Sequence, residues 1–256
     1  MYRIALIIKK HTMEYDLIRK AHVSSTNSSL AAMKSDGLLR RDTVLVSDYQ
    51  DDGRGQGAHG WDSKEGENIL MSWLIQPELL SASEQFMISK VVSLSICDHL
   101  NDYIGNTYIK WPNDILSGNR KIAGILIEHG IMQDRIAHSI IGVGLNVNQK
   151  DFDTYPLPPT SLYLETGSKH DIEKQLRKLL KALYKRYDQL RDGDFEGLDR
   201  EYLERLYRYR QQSIFEADEK RFEGVIMGVS EYGQLLVKVK EKTMTFNFQE
   251  IRILLH

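Results

Sequence analysis

Four short segments gather the residues whose types and spacing could do chemistry. Ser24-Ser25-Thr26-Asn27 lines up hydroxyls and an amide; the same residues would also cap a helix. Gln50 to Trp61 (QDDGRGQGAHGW) holds four glycines, one arginine and a closing tryptophan. Glycines let backbone N–H groups approach an anion, and Arg54 adds a forked cationic donor. No Gly-Lys-Ser/Thr follows, so this is not a Walker A loop, and a flexible surface loop is the bland alternative. Lys110-Trp111-Pro112-Asn113-Asp114 packs a lysine, an amide and a carboxylate round a proline inside a strand-like run. Structurally, Pro112 there reads as an edge or bulge and Asn113-Asp114 as a turn. Lys121 to Glu128 (KIAGILIE) opens an apolar strand on a lysine, with Gly124 inside it. A strand glycine marks the close approach of a ligand or another backbone, while Lys121 alone could be a solvated strand end.

The elements that must position these residues alternate irregularly. Residues 2–8, 43–48 and 68–75 read as strands, and 26–35 as a short helix behind the Ser-Ser-Thr cap. Residues 83–102 read as a helix capped by Ser83. Three strands follow in series, 108–116, 121–131 and 136–147, with hairpin signals at Gly118-Asn119 and Gln133-Asp134. The series predicts antiparallel pairing, not regular βαβ winding. A strand exposed near 136–147 could pair in a homodimer. The loop 149–160 carries Pro156, Pro158 and Pro159, and helices are expected over 171–191 and 194–208. From Gln212 onward short β-like runs predict a small barrel with its own core. The domains expected are thus 1–211 and 212–256.

Composition bounds the rest. Of 256 residues, 34 Lys+Arg against 36 Asp+Glu give a formal charge of −2, which removes the main reason to expect duplex DNA as partner. Apolar residues at 41% and charged residues at 27% suit a globular chain. Cys97 is the one cysteine, so no disulfide framework or multi-cysteine zinc site is expected, and its apolar surroundings predict a buried thiol. The basic residues of MYRIALIIKK follow the apolar run instead of preceding it, unlike a signal peptide, and no apolar stretch reaches a membrane span. A soluble cytoplasmic protein is the expectation. His11, His22, His59, His99, His129, His138, His170 and His256 form no metal-spaced pair with acids, so none is given a catalytic role. Lys174, Arg177, Lys178, Lys181, Lys185 and Arg186, with Tyr207-Arg208-Tyr209-Arg210, would suit a nucleic-acid surface; the commoner reading is the solvated face of a helix.

In this order and spacing the segments resemble the catalytic domain of biotin–protein ligases, which attach biotin to a lysine of acetyl-CoA carboxylase or related carboxylases. The resemblance runs from about Ser24 to Asn148. It takes in Ser25-Thr26-Asn27, Gln50, Gly53-Arg54-Gly55, Trp61, Gly66-x-Asn68, Lys110 to Asp114, Lys121-x-x-Gly124-Ile125-Leu126 and Gly142-x-Gly144-Leu145-Asn146-x-Asn148; Thr160-Ser161-Leu162 also fits. It implies an α+β fold, a twisted mixed or antiparallel sheet with helices on one face in the manner of class II synthetases, followed by an SH3-like β-barrel. With only about 24 residues before the first motif, it implies a short form without an N-terminal DNA-binding domain. The chain departs from the family in having Gln56 and Gly57 where some relatives have arginines, and Ser24 where an acid is common.

The implied chemistry is ATP-dependent. Biotin's carboxylate would attack the α-phosphorus, giving biotinyl-5′-AMP and pyrophosphate, and a lysine of a biotin carboxyl carrier protein would then displace AMP. Lys121 and Arg54 are the implied catalytic cations. Ser25, Thr26, Asn27, Gln50, Gly55 and Gln56, with Arg54 and Lys121, would hold biotin. Trp61, Lys110, Asn113, Asp114 and Asn146, again with Arg54 and Lys121, would hold ATP, and Asp114 would help bind Mg²⁺. A lipoate–protein ligase, whose substrate lacks the ureido group, and a non-catalytic biotin sensor are the rivals.

Overall fold

The computed structural model describes residues 2–8, 11–39, 42–57, 60–77 and 80–254; Ala58 and His59 of the glycine loop and the terminal His256 lie outside them. Alternating aliphatic runs fold into an eight-stranded sheet. Its strands are β1 (Tyr2–Ile8), β2 (His11–Val23), β3 (Thr43–Gln50), β4 (Asn68–Ile75), β5 (Thr107–Lys110), β6 (Asp114–Ser117), β7 (Arg120–Met132) and β8 (Arg135–Asn146), in the order β1-β2-β3-β4-β8-β7-β6-β5. Pairing is antiparallel except between β2 and β3, which run parallel because helix α1 (Thr26–Ser35) crosses between them. The sheet is therefore mixed. A second, antiparallel sheet of five follows: β9 (Gln212–Ala217), β10 (Lys220–Val229), β11 (Leu235–Val239), β12 (Lys242–Phe246) and β13 (Arg252–Ile253).

The side-chain period of two sorts each strand onto two faces. Ile69, Met71, Trp73 and Ile75 of β4 and Ile141, Val143 and Leu145 of β8 join the main core under α2 (Phe86–Leu100), α4 (Ile172–Arg191) and α5 (Phe195–Arg205). Leu74 and Ile140 point the other way and meet Leu30 of α1. A short helix α3 (Leu162–Thr166) caps on Ser161.

Several expectations need correction. The run 108–116 is not one strand. Pro112 offers no N–H to a ladder, so residues 111–113 turn and β5 pairs back on β6, with Lys110 opposite Asp114. The helix expected from Ser83 starts at Phe86. Ser81, not Ser83, caps the short 3₁₀ turn before it, its N–H and hydroxyl both donating to Glu84 at 2.9 and 2.7 Å. The dimer strand is excluded as an edge: β8 is paired on both sides, to β4 and to β7. The interior of the C-terminal sheet, where Phe215, Phe222 and Phe246 stack, is continuous with the main core through Phe215, Ile226, Leu235, Val237 and Phe246. The last helix ends at Arg205, and the basic-aromatic run beyond it is a connector: Tyr207 N–H donates to Ile109 O at 2.8 Å and Arg210 N–H to Ile226 O at 3.0 Å. Arg186 is buried between Asp98 and Glu201, each 2.7 Å away, and so leaves the proposed basic face.

Candidate functional site

A cavity of about 580 Å³ opens on the α1 face of the sheet and continues round its β5–β6 end to the second sheet. One end is made by the first turn of α1. Thr26 and Asn27 are buried there because the Ser25 cap brings the helix down on β4 and β8. Gln50, at the end of β3, accepts from Thr26 N–H at 2.8 Å and from its hydroxyl at 3.0 Å. The Ser72 hydroxyl lies 2.7 Å from Thr26 Oγ1 and 2.6 Å from Asn27 Oδ1. Asn27 Nδ2 donates to Glu128 Oε2 at 2.7 Å and to Leu126 O at 3.3 Å. Gly142 is what lets Asn27 come this close: a Cβ there would sit 2.5 Å from Asn27 Oδ1.

The other end is cationic. Asp114 stands between two ammonium groups, Lys121 Nζ at 2.6 Å from Oδ1 and Lys110 Nζ at 3.4 Å from Oδ2. One carboxylate against two lysines leaves a local charge of +1. A bulge aims Lys121. Leu116 pairs with Lys121 but Ile115 with Ala123, so β7 holds one extra residue, Ile122. Ile122 and Ala123 both pack in the main core, and Lys121 swings to the face of Gly124. The proline loop then pins its backbone: Lys121 N–H donates to Pro158 O and Thr160 N–H to Lys121 O, both at 2.8 Å. The preceding turn is fixed to β7 by Asn113, whose Nδ2 donates to Ile125 O at 2.8 Å.

Between the ends lies Trp61. Its indole rests on Gly124 and Gly144, a cross-strand pair, and a Cβ on either would meet the ring at 2.8 or 2.3 Å. Lys121 Nζ is 5.4 Å from the ring centre. The backbone of the glycine loop closes on itself through Trp61 N–H to Gly53 O at 2.6 Å.

Ser25, Thr26, Asn27, Gln50, Arg54, Gly55, Gln56, Trp61, Lys110, Asn113, Asp114 and Lys121 all line the one cavity. Some expectations change. Asn146 does not line it; the side chain is buried behind, Nδ2 donating to Thr160 O at 2.9 Å. Arg54 lines the same cavity as Lys121 and is held in an ion pair with Glu128 of β7. The Mg²⁺ role of Asp114 does not fit either. Both its oxygens face lysines, which already neutralise the carboxylate.

Sequence reading missed Ser72, a hydroxyl inside the otherwise apolar run that follows Asn68; that single polar residue was the available signal. It also missed the second sheet's share of the wall, from Phe215, Ile226, Leu235 and Ile251. Trp111 clasps that sheet, its Nε1 donating to Gly233 O at 2.8 Å.

Comparison with known proteins bears on the fold and the family. The sequence model of the biotin/lipoate A/B protein ligase family matches residues 20–146. The bifunctional ligase/repressor BirA of Bacillus subtilis is 33% identical over 185 residues, which cover 70% of this chain and 56% of that protein. A biotin--[acetyl-CoA-carboxylase] ligase of Paracoccus denitrificans is 28% identical over 227 residues, 85% of this chain and 92% of the relative. The solved biotin protein ligase from Aquifex aeolicus in complex with biotin and ATP superposes with a TM-score of 0.77 at 25% identity, covering 93% of this chain and 98% of that one. The chain thus spans little more than half the length of the Bacillus relative and nearly all of the Paracoccus one. With the domain present over residues 20–146 and the fold shared throughout, the chain belongs to the biotin/lipoate A/B protein ligase family.

Proposed function

We propose that the protein is an ATP-dependent biotin–protein ligase. One observation carries the reading: a single cavity has neutral hydroxyls and amides at one end and two lysines sharing one carboxylate at the other. Biotin has the same polarity, a neutral ureido head joined by an alkyl chain to a carboxylate. Short hydroxyls and amides discriminate strongly for such a head, because an analogue lacking its polar atoms leaves them unpaired. Ser25, Thr26, Asn27 and Gln50 take this part. Trp61 and its glycine seat form the apolar middle, suited to the alkyl chain.

At the cationic end two anions must meet. The carboxylate oxygen attacks the α-phosphorus, the P–O bond to the β-phosphate breaks, and pyrophosphate leaves. Fixed positive charge where negative charge concentrates is the main requirement of such a step. Lys121, held by backbone bonds on both its N–H and its C=O, supplies that charge, and Asp114 orients it together with Lys110. In the second step a neutral lysine ε-amine attacks the acyl carbon and AMP departs with the bonding electrons. The acceptor we propose is the biotin-carrying domain of a carboxylase; relatives named biotin--[acetyl-CoA-carboxylase] ligase support it. Cys97 takes no part: burial pushes its thiol up to about 12. A single buried thiol is in keeping with the reducing cytoplasm, where we propose the protein works.

The test is ATP–pyrophosphate exchange. Exchange that depends on biotin and is not supported by lipoate is expected. Exchange driven by lipoate alone would move the chain to the other branch of its family, and binding of biotin with no exchange would make it a sensor.

A further inference from the structure

We propose that Glu128 is a positioning residue that ties the glycine loop to the head-group end of the cavity, with Arg54 serving as the loop's anchor. The inference rests on the biotin-ligase reading for its effect on substrate. Its geometry stands independently.

Glu128 ends the KIAGILIE segment on β7, opposite Ile140 of β8. Its two oxygens are divided. Oε2 accepts from Asn27 Nδ2 at 2.7 Å, and Oε1 takes the Arg54 guanidinium. Asn27 is thereby fixed on both sides, because its Oδ1 faces the Ser72 hydroxyl at 2.6 Å. Turning the amide over would set a carbonyl oxygen against a carboxylate, so the contact selects one orientation. Arg54 in turn begins the stretch that bridges back to Gly60, one residue before Trp61. Holding Arg54 therefore holds the loop across the slot at the end where the head would sit. Both partners of the ion pair are about 40% exposed, so the tether is weak and salt-sensitive.

Three variants separate the two contacts. Glu128→Gln keeps a carbonyl for Asn27 and loses the charge for Arg54. Glu128→Ala loses both. The exchanged pair R54E/E128R restores opposite charges with the sign reversed. Proteinase K cleavage within residues 51–61 of the ligand-free chain is expected to be roughly fivefold faster in Glu128→Gln, the difference vanishing in 1 M NaCl. Cleavage returns towards the wild-type rate in R54E/E128R. In biotin-dependent pyrophosphate exchange, Glu128→Gln is expected to keep KM for biotin within about twofold. Glu128→Ala raises it about tenfold with kcat little changed, a split that general destabilisation does not produce. Wild-type cleavage rates in Glu128→Gln, or no recovery in the exchanged pair, would overturn the tether. Equal KM in Glu128→Ala and wild type would overturn the orientation of Asn27. A wild-type chain with no biotin-dependent exchange would defeat the ligase reading instead, and the cleavage result, which needs no ligand, would still judge the tether.

Discussion

Lys121 owes its position to one surplus residue in its strand. Without the bulge at Ile122, a lysine three places before Gly124 would sit on the core face of β7. Lys121→Ala is expected to lower biotin-dependent pyrophosphate exchange about 100-fold or more while leaving the melting temperature within a few degrees. Near-normal exchange would remove it from the mechanism. Ser72→Ala leaves Asn27 Oδ1 without that hydroxyl in a buried setting, and a loss of about 1–3 kcal/mol should appear in the urea midpoint, with a raised KM for biotin. At this scale much was legible: Lys, Asn and Asp inside apolar runs are costly unless they have work to do. Ser72 was not read, because the groups that give it meaning lie 45 and 46 residues away. Arg54 was read as a cation but not placed, since its partner is 74 residues distant.

The elements were legible where one face is buried and the pattern long. Strands 43–48 and 68–75 and the helix from 171 follow directly from their apolar spacing. β2 escaped notice because charged residues interrupt it, and Pro112 split what looked like one strand. Helix α2 carries a further consequence of deep burial. His99 lies within it against the Tyr103 ring, both ring nitrogens buried without a partner. Burial first, and then the charge of Lys178, lower its pKa from 6.5 to about 4. On acidification the unfolded chain binds the proton first. The stability gained from keeping this ring neutral is therefore full above about pH 6.5 and is lost as pH falls from there to about 4. At pH 5 the loss from this group is about 2 kcal/mol. Denaturant midpoints at pH 7.5 and pH 5 should converge in His99→Leu by about that much, and an unchanged gap would assign the acid sensitivity elsewhere.

For the molecule as a whole, the C-terminal sheet is a wall of the cavity. Its short runs were readable as β-structure, but no local pattern told that Phe215, Ile226 and Leu235 would share the interior of the larger sheet. A chain ended at Gln211 is expected to lose its sharp thermal transition and to expose apolar surface to dye; a cooperative melt near the wild-type temperature would restore the idea of two independent cores. Gly233 is the contact point, in the left-handed region at φ 85°, where a Cβ would meet Phe86 Cδ2 at 2.5 Å. That crowding ties two positions 147 residues apart into one inheritance. Among descendants of this chain, a side chain gained at 233 would carry the strain of the left-handed φ even where bulk is shed at 86, so the glycine should persist wherever the aromatic does, and a hybrid that takes its tail from one lineage and its body from another should be viable only when that glycine is kept.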